Sequence, residues 1–490
     1  MGPVKRVLLG SAAGVFAVAG AQAADLPVKA KPVEYVKVCS LYGAGFWYVP
    51  GTDTCIKIGA YTKLQTEYNA SNGPFMIGIA NNGAADAAGR QTRTDTGPFT
   101  WNARGVISVD MRQQTEYGTL RSYIDVGEQT QASDNSGGSA GLQVATSLFN
   151  SRAFIQFAGF TAGRMRSFFD LYFQGNYAFA SQRFGNDTSP NGIVGIAYTW
   201  QFGGGLSASV SLEDSGFGQG GRGRSTTNLA VNTLPVGTMT VDVKGQQFFD
   251  PVVNLRLDQA WGFVGASGAL HDASGGYYGA TEGTGHPGDK FGWAATLGFT
   301  LTNVFGLQGD TVAGQGVYSK GAAGYATPLF GPSAIFSGTS LGLGWLAEGV
   351  YGASGGVDLT TVWSFNAAYE HRWDPRWRTS VYGGMVGVQY DDGAKPLVCA
   401  AVAAATVPRS VNSLNCDPNF SLTEVGTRTM WNPVPDLDVG VDLVWWHLNT
   451  GFGGNVLNVP AQGAKPAAAY SIKDQDALSA IFRIQRNFLY

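Results

Sequence analysis

The chain has 490 residues, a formal net charge of −3, 70 glycines, and charged residues at only 14%. Soluble domains average roughly 25% charged residues, so this composition is poor for a fully water-solvated surface, and the mildly negative balance argues against a nucleic-acid partner. No internal apolar run is long and clean enough for a membrane-spanning helix; the longest uncharged stretch, Gly321 to Ala347, is broken by Pro328, Pro332 and many Gly, Ser and Thr.

The first element is an export signal over 1–23. Lys5 and Arg6 form a basic start, Val7 to Ala19 an apolar run of about 13 residues, and Ala21-Gln22-Ala23 a small-residue cleavage site, so the mature chain is expected to begin near Ala24. The run is too short to span a bilayer. Residues 24–56 follow as a periplasmic amino-terminal segment that carries Cys39 and Cys55.

From 57 to 490 the chain reads as one all-β domain. Sixteen strands are expected, near 57–68, 99–113, 118–128, 149–159, 161–169, 191–202, 206–214, 251–259, 262–272, 290–303, 309–320, 357–372, 377–391, 420–432, 436–448 and 475–490. Their connections alternate in length. Tight turns fall at 116–118, 159–160, 203–205, 259–262, 303–307, 373–377 and 432–436. Longer loops fall near 69–98, 129–148, 170–190, 215–250, 273–289, 321–356, 392–419 and 449–474. Seven short turns, eight long loops and sixteen strands are the count for an antiparallel transmembrane β-barrel with both termini in the periplasm, short periplasmic turns and long outside loops. No helical domain, linker or repeat beyond the hairpins is expected.

The last strand shows the pattern most clearly. Leu478, Ala480, Phe482, Ile484, Phe488 and Tyr490 share one parity, and Ser479, Arg483, Gln485 and Asn487 the other. A period of two with one oily and one wet face is a strand between lipid and water. An open edge at the chain end would invite aggregation, whereas a closed barrel pairs its last strand with its first. Phe160, Phe202, Trp261, Phe305, Trp373, Trp377 and Trp431 cluster at the short turns, as an interfacial aromatic girdle does.

Four cysteines allow three connectivities. Local pairing, Cys39–Cys55 and Cys399–Cys416, closes two short loops; free thiols and a metal site are the alternatives. The spacings are not those of zinc ligands, so no metal or other cofactor is expected. Catalytic signatures do not stand up either. GASGG (352–356) and GGSAG (137–141) match G-x-S-x-G, and GQGGRG (218–223) mimics G-x-G-x-x-G, but all lie in Gly-rich loops without the strand–turn–helix context those motifs require. His271, His286, His371 and His447 show no ligand spacing. No enzyme is expected.

Several long segments carry a family resemblance. VEYVKVCSLYGAGFWYVPGTDTCIKIGAY (33–61), RAFIQFAGFTAGRMRSFFD (152–170), NLRLDQAWG (254–262), CDPNFSLTEVGTRTMWNPV (416–434) and the terminal strand resemble the alphaproteobacterial porins of the rhizobial and Brucella type. One departure is Tyr490, where outer-membrane proteins more often end in Phe; the aromatic ring is kept. The resemblance implies a trimeric, sixteen-stranded, general-diffusion outer-membrane channel for small hydrophilic solutes. The expected partners are the lipid and lipopolysaccharide of that membrane, and the barrel-assembly machinery, with Phe488 and Tyr490 as the assembly signal. A plugged transporter of about 22 strands does not fit the chain.

In such a barrel the third long loop folds into the lumen and the wall faces it. The loop offers Asp170, Arg183 and Asp187. Parity turns Lys63, Arg104, Arg112, Arg121, Arg152 and Arg483 inward, and charge on the lipid face would cost roughly 2–4 kcal/mol at the midplane. Arg152 resembles the position of a constriction arginine in well-known porins. The arginine row points to anion preference, the acidic loop and negative net charge to cation preference; the balance leans to cations.

Overall fold

The computed structural model describes residues 38–68, 99–133, 143–179, 184–185, 187–188, 191–216, 222–231, 241–337, 339–404, 410–411, 416–459 and 467–488. The export signal, Arg183 and Tyr490 therefore lie outside the described residues.

Sixteen strands form the wall. They are β1 (Thr54–Tyr68), β2 (Phe99–Thr115), β3 (Gly118–Ser133), β4 (Gln143–Phe157), β5 (Phe160–Met165), β6 (Ile193–Gly203), β7 (Leu206–Glu213), β8 (Asp250–Gln259), β9 (Gly262–Asp272), β10 (Phe291–Thr302), β11 (Thr311–Lys320), β12 (Thr361–Arg372), β13 (Trp377–Gln389), β14 (Phe420–Trp431), β15 (Leu437–Asn449) and β16 (Gln475–Phe488). Each pairs antiparallel with its sequence neighbour, and β16 closes on β1 with Lys63 opposite Gln485 and Ala60 opposite Phe488. Closure removes the free edge that the terminal strand would otherwise present.

Alternation sets the two faces. On β16, Leu478 is 57% and Phe488 55% exposed, while Ser479 is fully buried. The girdle aromatics, Phe160 to Trp431, all point outward at the short-turn end. At the 203–205 turn the backbone adopts a conformation that favours glycine. Gly205 has φ +84°, and a Cβ on it would sit 1.9 Å from the Asp258 carbonyl oxygen.

Three differences from the sequence expectation position the site. β5 stops at Met165 rather than 169, because Glu213 at the end of β7 takes hydrogen bonds from Ser167 Oγ (2.6 Å) and Phe168 N (2.8 Å) and draws the chain off the wall. β12 begins at Thr361 rather than 357; Asp358–Leu359 pairs instead with Gly349–Tyr351 in a small sheet of the long loops. Among its described residues the seventh loop contains one helix, α1 (Ala394–Ala403), whose first amide bonds Asp391 Oδ1 and which buries Ala394, Val398, Ala401 and Val402.

The core lies inside the barrel, not between layers. Phe169, Tyr172, Tyr325, Leu341, Trp345 and Leu346 of the loops pack on inward residues of β9–β15, among them Ala294, Val317, Val362, Val386 and Val444. Among the described residues, none of β1–β4 belongs to this cluster. One side of the lumen is thus filled by loops, while the inward faces of β1–β4 carry Lys63, Gln65, Arg104, Asp110, Arg121 and Asp125. Both disulfides join the pairs expected from sequence, Cys39–Cys55 and Cys399–Cys416, with Cα–Cα separations of 6.0 and 5.9 Å.

Candidate functional site

The described residues of the segment 166–192, hereafter L3, leave β5 and cross the lumen. The crossing is fixed at both ends. Near the departure point, Asp170 Oδ1 lies 2.6 Å from Arg222 Nη2, and its Oδ2 accepts the Thr188 amide at 2.8 Å. At the far side, Ser380 Oγ of β13 donates to the Tyr177 carbonyl (2.6 Å), and Arg428 Nη1 of β14 donates to the Gly175 carbonyl (3.0 Å). Asn366 of β12 donates to the Phe184 carbonyl (3.0 Å), and the Phe179 amide donates to Asp442 of β15. L3 is therefore a strut, held by side chains from the wall it reaches.

The residues expected on the loop side have a structural position. Asp170 is buried between Arg222 and Thr188. Asp187 accepts the Gln174 amide at 3.1 Å and sits 3.9 Å from Arg166 Nε, with its side chain only 2% exposed. Both carboxylates are thus buried in contacts that hold L3.

The six wall residues all project inward, and they fall into three groups. Arg104, Arg121 and Arg152 line a cavity of about 470 Å³ between Phe173 of L3 and β1–β4, together with Tyr61, Tyr123 and Asp125. Lys63 stands directly opposite Arg104 on the paired strand. Arg483 belongs to a second cavity, about 460 Å³, on the short-turn side of L3, which it shares with Arg378, Arg428, Glu370 and Asp438; its Nε donates to Gln65 at 2.6 Å and its guanidinium lies 4.0 Å from the Phe179 ring. Arg112 lies away from both cavities, bonded to Asp110 and stacked 4.9 Å over Phe46 of the amino-terminal segment.

Three arginines of the site lie outside the sequence expectation. Arg166 stacks on Phe173 with its guanidinium carbon 3.2 Å from the ring centroid. Arg222 is fully buried, and Arg428 is bonded to Glu370 at 3.0 Å. Arg428 has inward parity in the strand FSLTEVGTRTMW, so the alternation rule could have found it. Arg222 sits in a long loop with no periodic signal, and its role depends on L3 arriving beside it.

The arrangement can pass and sort small charged solutes; among the described residues no group of His, Cys, Asp or Glu could hold a metal ion. GASGG lies in a bend of a long loop, and GGSAG lies outside the described residues.

Comparison with known proteins gives the same kind of molecule. The model of the porin subfamily matches residues 25–481. Porin Omp2b of Brucella suis is 32% identical over 236 residues, which is 47% of this chain and 59% of the Brucella protein. Porin Omp2b of Brucella melitensis is 31% identical over the same shares. The chain thus spans somewhat over half the length of the curated relatives it matches. Among solved structures, the outer-membrane channel DcaP of Acinetobacter baumannii superimposes with a TM-score of 0.52 at 13% identity, covering 90% of this chain and 99% of that one; that likeness concerns the fold.

Proposed function

The chain belongs to the porin subfamily, and from that premise we propose that it forms a passive diffusion channel of the bacterial outer membrane, admitting small hydrophilic solutes and ions. The observation that carries this reading is the division of the lumen. L3 and the other loops fill the β9–β15 side, and a cavity lined by Arg104, Arg121 and Arg152 remains beside β1–β4. In this reading the constriction is the gap between Phe173 of L3 and that wall. Asp170 and Asp187 act by fixing L3 rather than by facing the solute, and Lys63 and Arg483 extend the positive side. A channel needs no catalytic group, and porin membership makes the chain a channel rather than an enzyme.

Residues 1–23 direct export, 24–56 stay periplasmic with the Cys39–Cys55 bridge, and the barrel-assembly machinery takes the terminal strand. The barrel works as a homotrimer in contact with lipid and lipopolysaccharide. Small outward residues such as Ala60, Ala103 and Ala480 allow close approach between barrels. Glu128 supports the same face: it is exposed on the outside of β3, opposite the 81% exposed Leu148. A carboxylate facing hydrocarbon is unfavourable, and a protein neighbour removes that cost. Swelling of liposomes that contain the refolded protein tests the channel reading. Pentoses should enter faster than disaccharides, and the absence of swelling with any sugar would overturn it.

A further inference from the structure

The cavity beside β1–β4 has two properties that a simple aqueous pore does not need together. The first is an excess of positive charge: Arg104, Arg121 and Arg152 line the cavity with Asp125 as the one carboxylate among its lining residues. Arg121 is paired with Asp110, which it shares with Arg112, with Nε–Oδ1 and Nη2–Oδ2 both at 3.0 Å. Arg104 is not. Its Nε donates to the carboxamide of Gln129 at 2.8 Å, and among the described residues it makes no ion pair. Lys63, its direct cross-strand partner, likewise makes none. Like charges directly opposite one another on paired strands are destabilising, and the position is at the lumen, where an incoming anion offsets that repulsion.

The second property is the density of rings. Tyr61, Tyr123, Phe149, Phe154 and Phe173 all border the same cavity. Tyr123 and Phe154 are stacked, 5.4 Å apart at 17°. Guanidinium groups already cover ring faces: Arg104 lies 4.7 Å over Phe149, Arg121 5.3 Å over both Tyr123 and Phe154, and Arg166 3.2 Å over Phe173. The electron-rich faces that would attract an organic cation are thus taken by arginines. Ring edges and the flat outer faces of the guanidinium planes are left for a solute.

We propose that the juxtaposition of the Arg104–Lys63 pair, which among the described residues has no carboxylate in ion-pair contact, with this ring-lined wall makes the constriction a binding site for small aromatic carboxylates. The carboxylate meets Arg104 in a charge-assisted, planar pairing, and the ring packs edge-on against Phe173 and Phe149. At about 470 Å³ the cavity is within the size range of small-molecule sites. The inference rests on the channel reading and deepens it by naming a solute class. One aromatic contact of this kind is worth up to about tenfold in affinity.

The test is single-channel recording in potassium chloride with added sodium benzoate, sodium acetate, cyclohexanecarboxylate or benzylammonium chloride. Benzoate should reduce the current at about tenfold lower concentration than acetate, with cyclohexanecarboxylate weaker than benzoate and benzylammonium inactive. Arg104→Gln should weaken the benzoate block severalfold, and Arg104→Lys should retain part of it. Phe149→Leu, which keeps an apolar side chain, should bring benzoate and cyclohexanecarboxylate together. Equal block by benzoate and acetate, block by benzylammonium, or an undiminished block in Arg104→Gln would overturn the proposal while an ordinary potassium chloride current left the channel reading standing. A wild-type protein that carries no current would overturn both.

Discussion

Asp170 and Arg222 hold L3 to the neighbouring long loop, and Asp170→Asn tests whether that latch keeps the strut in place. Arg222 Nη2 lies 2.6 Å from Asp170 Oδ1 and 2.7 Å from Ser167 Oγ, and its guanidinium is 4.5 Å from the Tyr325 ring. Both charged side chains are essentially without solvent contact. Removing one partner of such a pair costs about 3–5 kcal/mol, because the other charge stays buried without its nearest counter-charge. The cost falls on loop attachment, since neither residue belongs to a wall strand. At 1.4 kcal/mol per tenfold, the ratio of detached to attached L3 should rise by about two to three orders of magnitude. Single-channel records of Asp170→Asn should therefore show frequent excursions to higher conductance, with the barrel still folded by heat-modifiable gel mobility. Asp170→Asn combined with Arg222→Met removes both charges and should be quieter than Asp170→Asn alone. A single variant as quiet as the wild type, or a double variant as noisy as the single, refutes the latch.

Strand register makes a second prediction: Phe482→Arg places charge on the outward face and should lower refolding stability by roughly 2–4 kcal/mol near the midplane, whereas Gln485→Arg, in the lumen, should cost little and alter conductance; the reverse order means a register displaced by one residue. Peptide mapping without reduction should recover Cys39 linked to Cys55 and Cys399 to Cys416, and a Cys39–Cys416 link would contradict the loop placement. At the turn before β11, burial pushes the Asp310 carboxyl upward, but hydrogen bonds from His371, Tyr369 and the Arg372 amide outweigh it and hold the group below the ordinary carboxylate value. A depressed folded value stabilises above the unfolded one and is lost as pH falls through it, so acid should loosen this turn; Asp310→Asn should abolish that part of the pH dependence, and an unchanged acid profile in hydrogen exchange at 303–311 would contradict it.

The wall was legible because lipid outside and water inside impose a strict period of two. β16 shows this best: Leu478, Phe482 and Phe488 face out and Ser479 and Arg483 face in. The six basic wall residues followed from the same rule. What lay beyond it was decided by contacts distant in sequence. Met165 continues the parity of β5, yet the strand ends there because Glu213, far along the chain, captures Ser167 and Phe168. The loop core was hidden for a different reason. Ala313, Val317, Val362 and Val386 occupy inward positions that parity assigns to water, and Trp345 and Leu346 lie in a Gly-rich stretch that reads as loop. Inward apolar residues on β11–β13 were the available signal that part of the lumen is filled. The loop acids also read differently in place: Asp170 and Asp187 counted toward cation preference in the sequence, but their carboxylates are buried in contacts that hold L3.

The central claim is a channel whose narrow point lies between L3 and an arginine-bearing wall. Its most direct test is the reversal potential of the protein in a planar bilayer across a dilute potassium chloride gradient, where the Debye length is about 30 Å at 0.01 M and wall charges are poorly screened. The account predicts an ohmic conductance with a reversal potential favouring chloride, which shifts toward potassium in Arg104→Gln/Arg152→Gln. No conductance, or a reversal potential that the double substitution leaves in place, would contradict it.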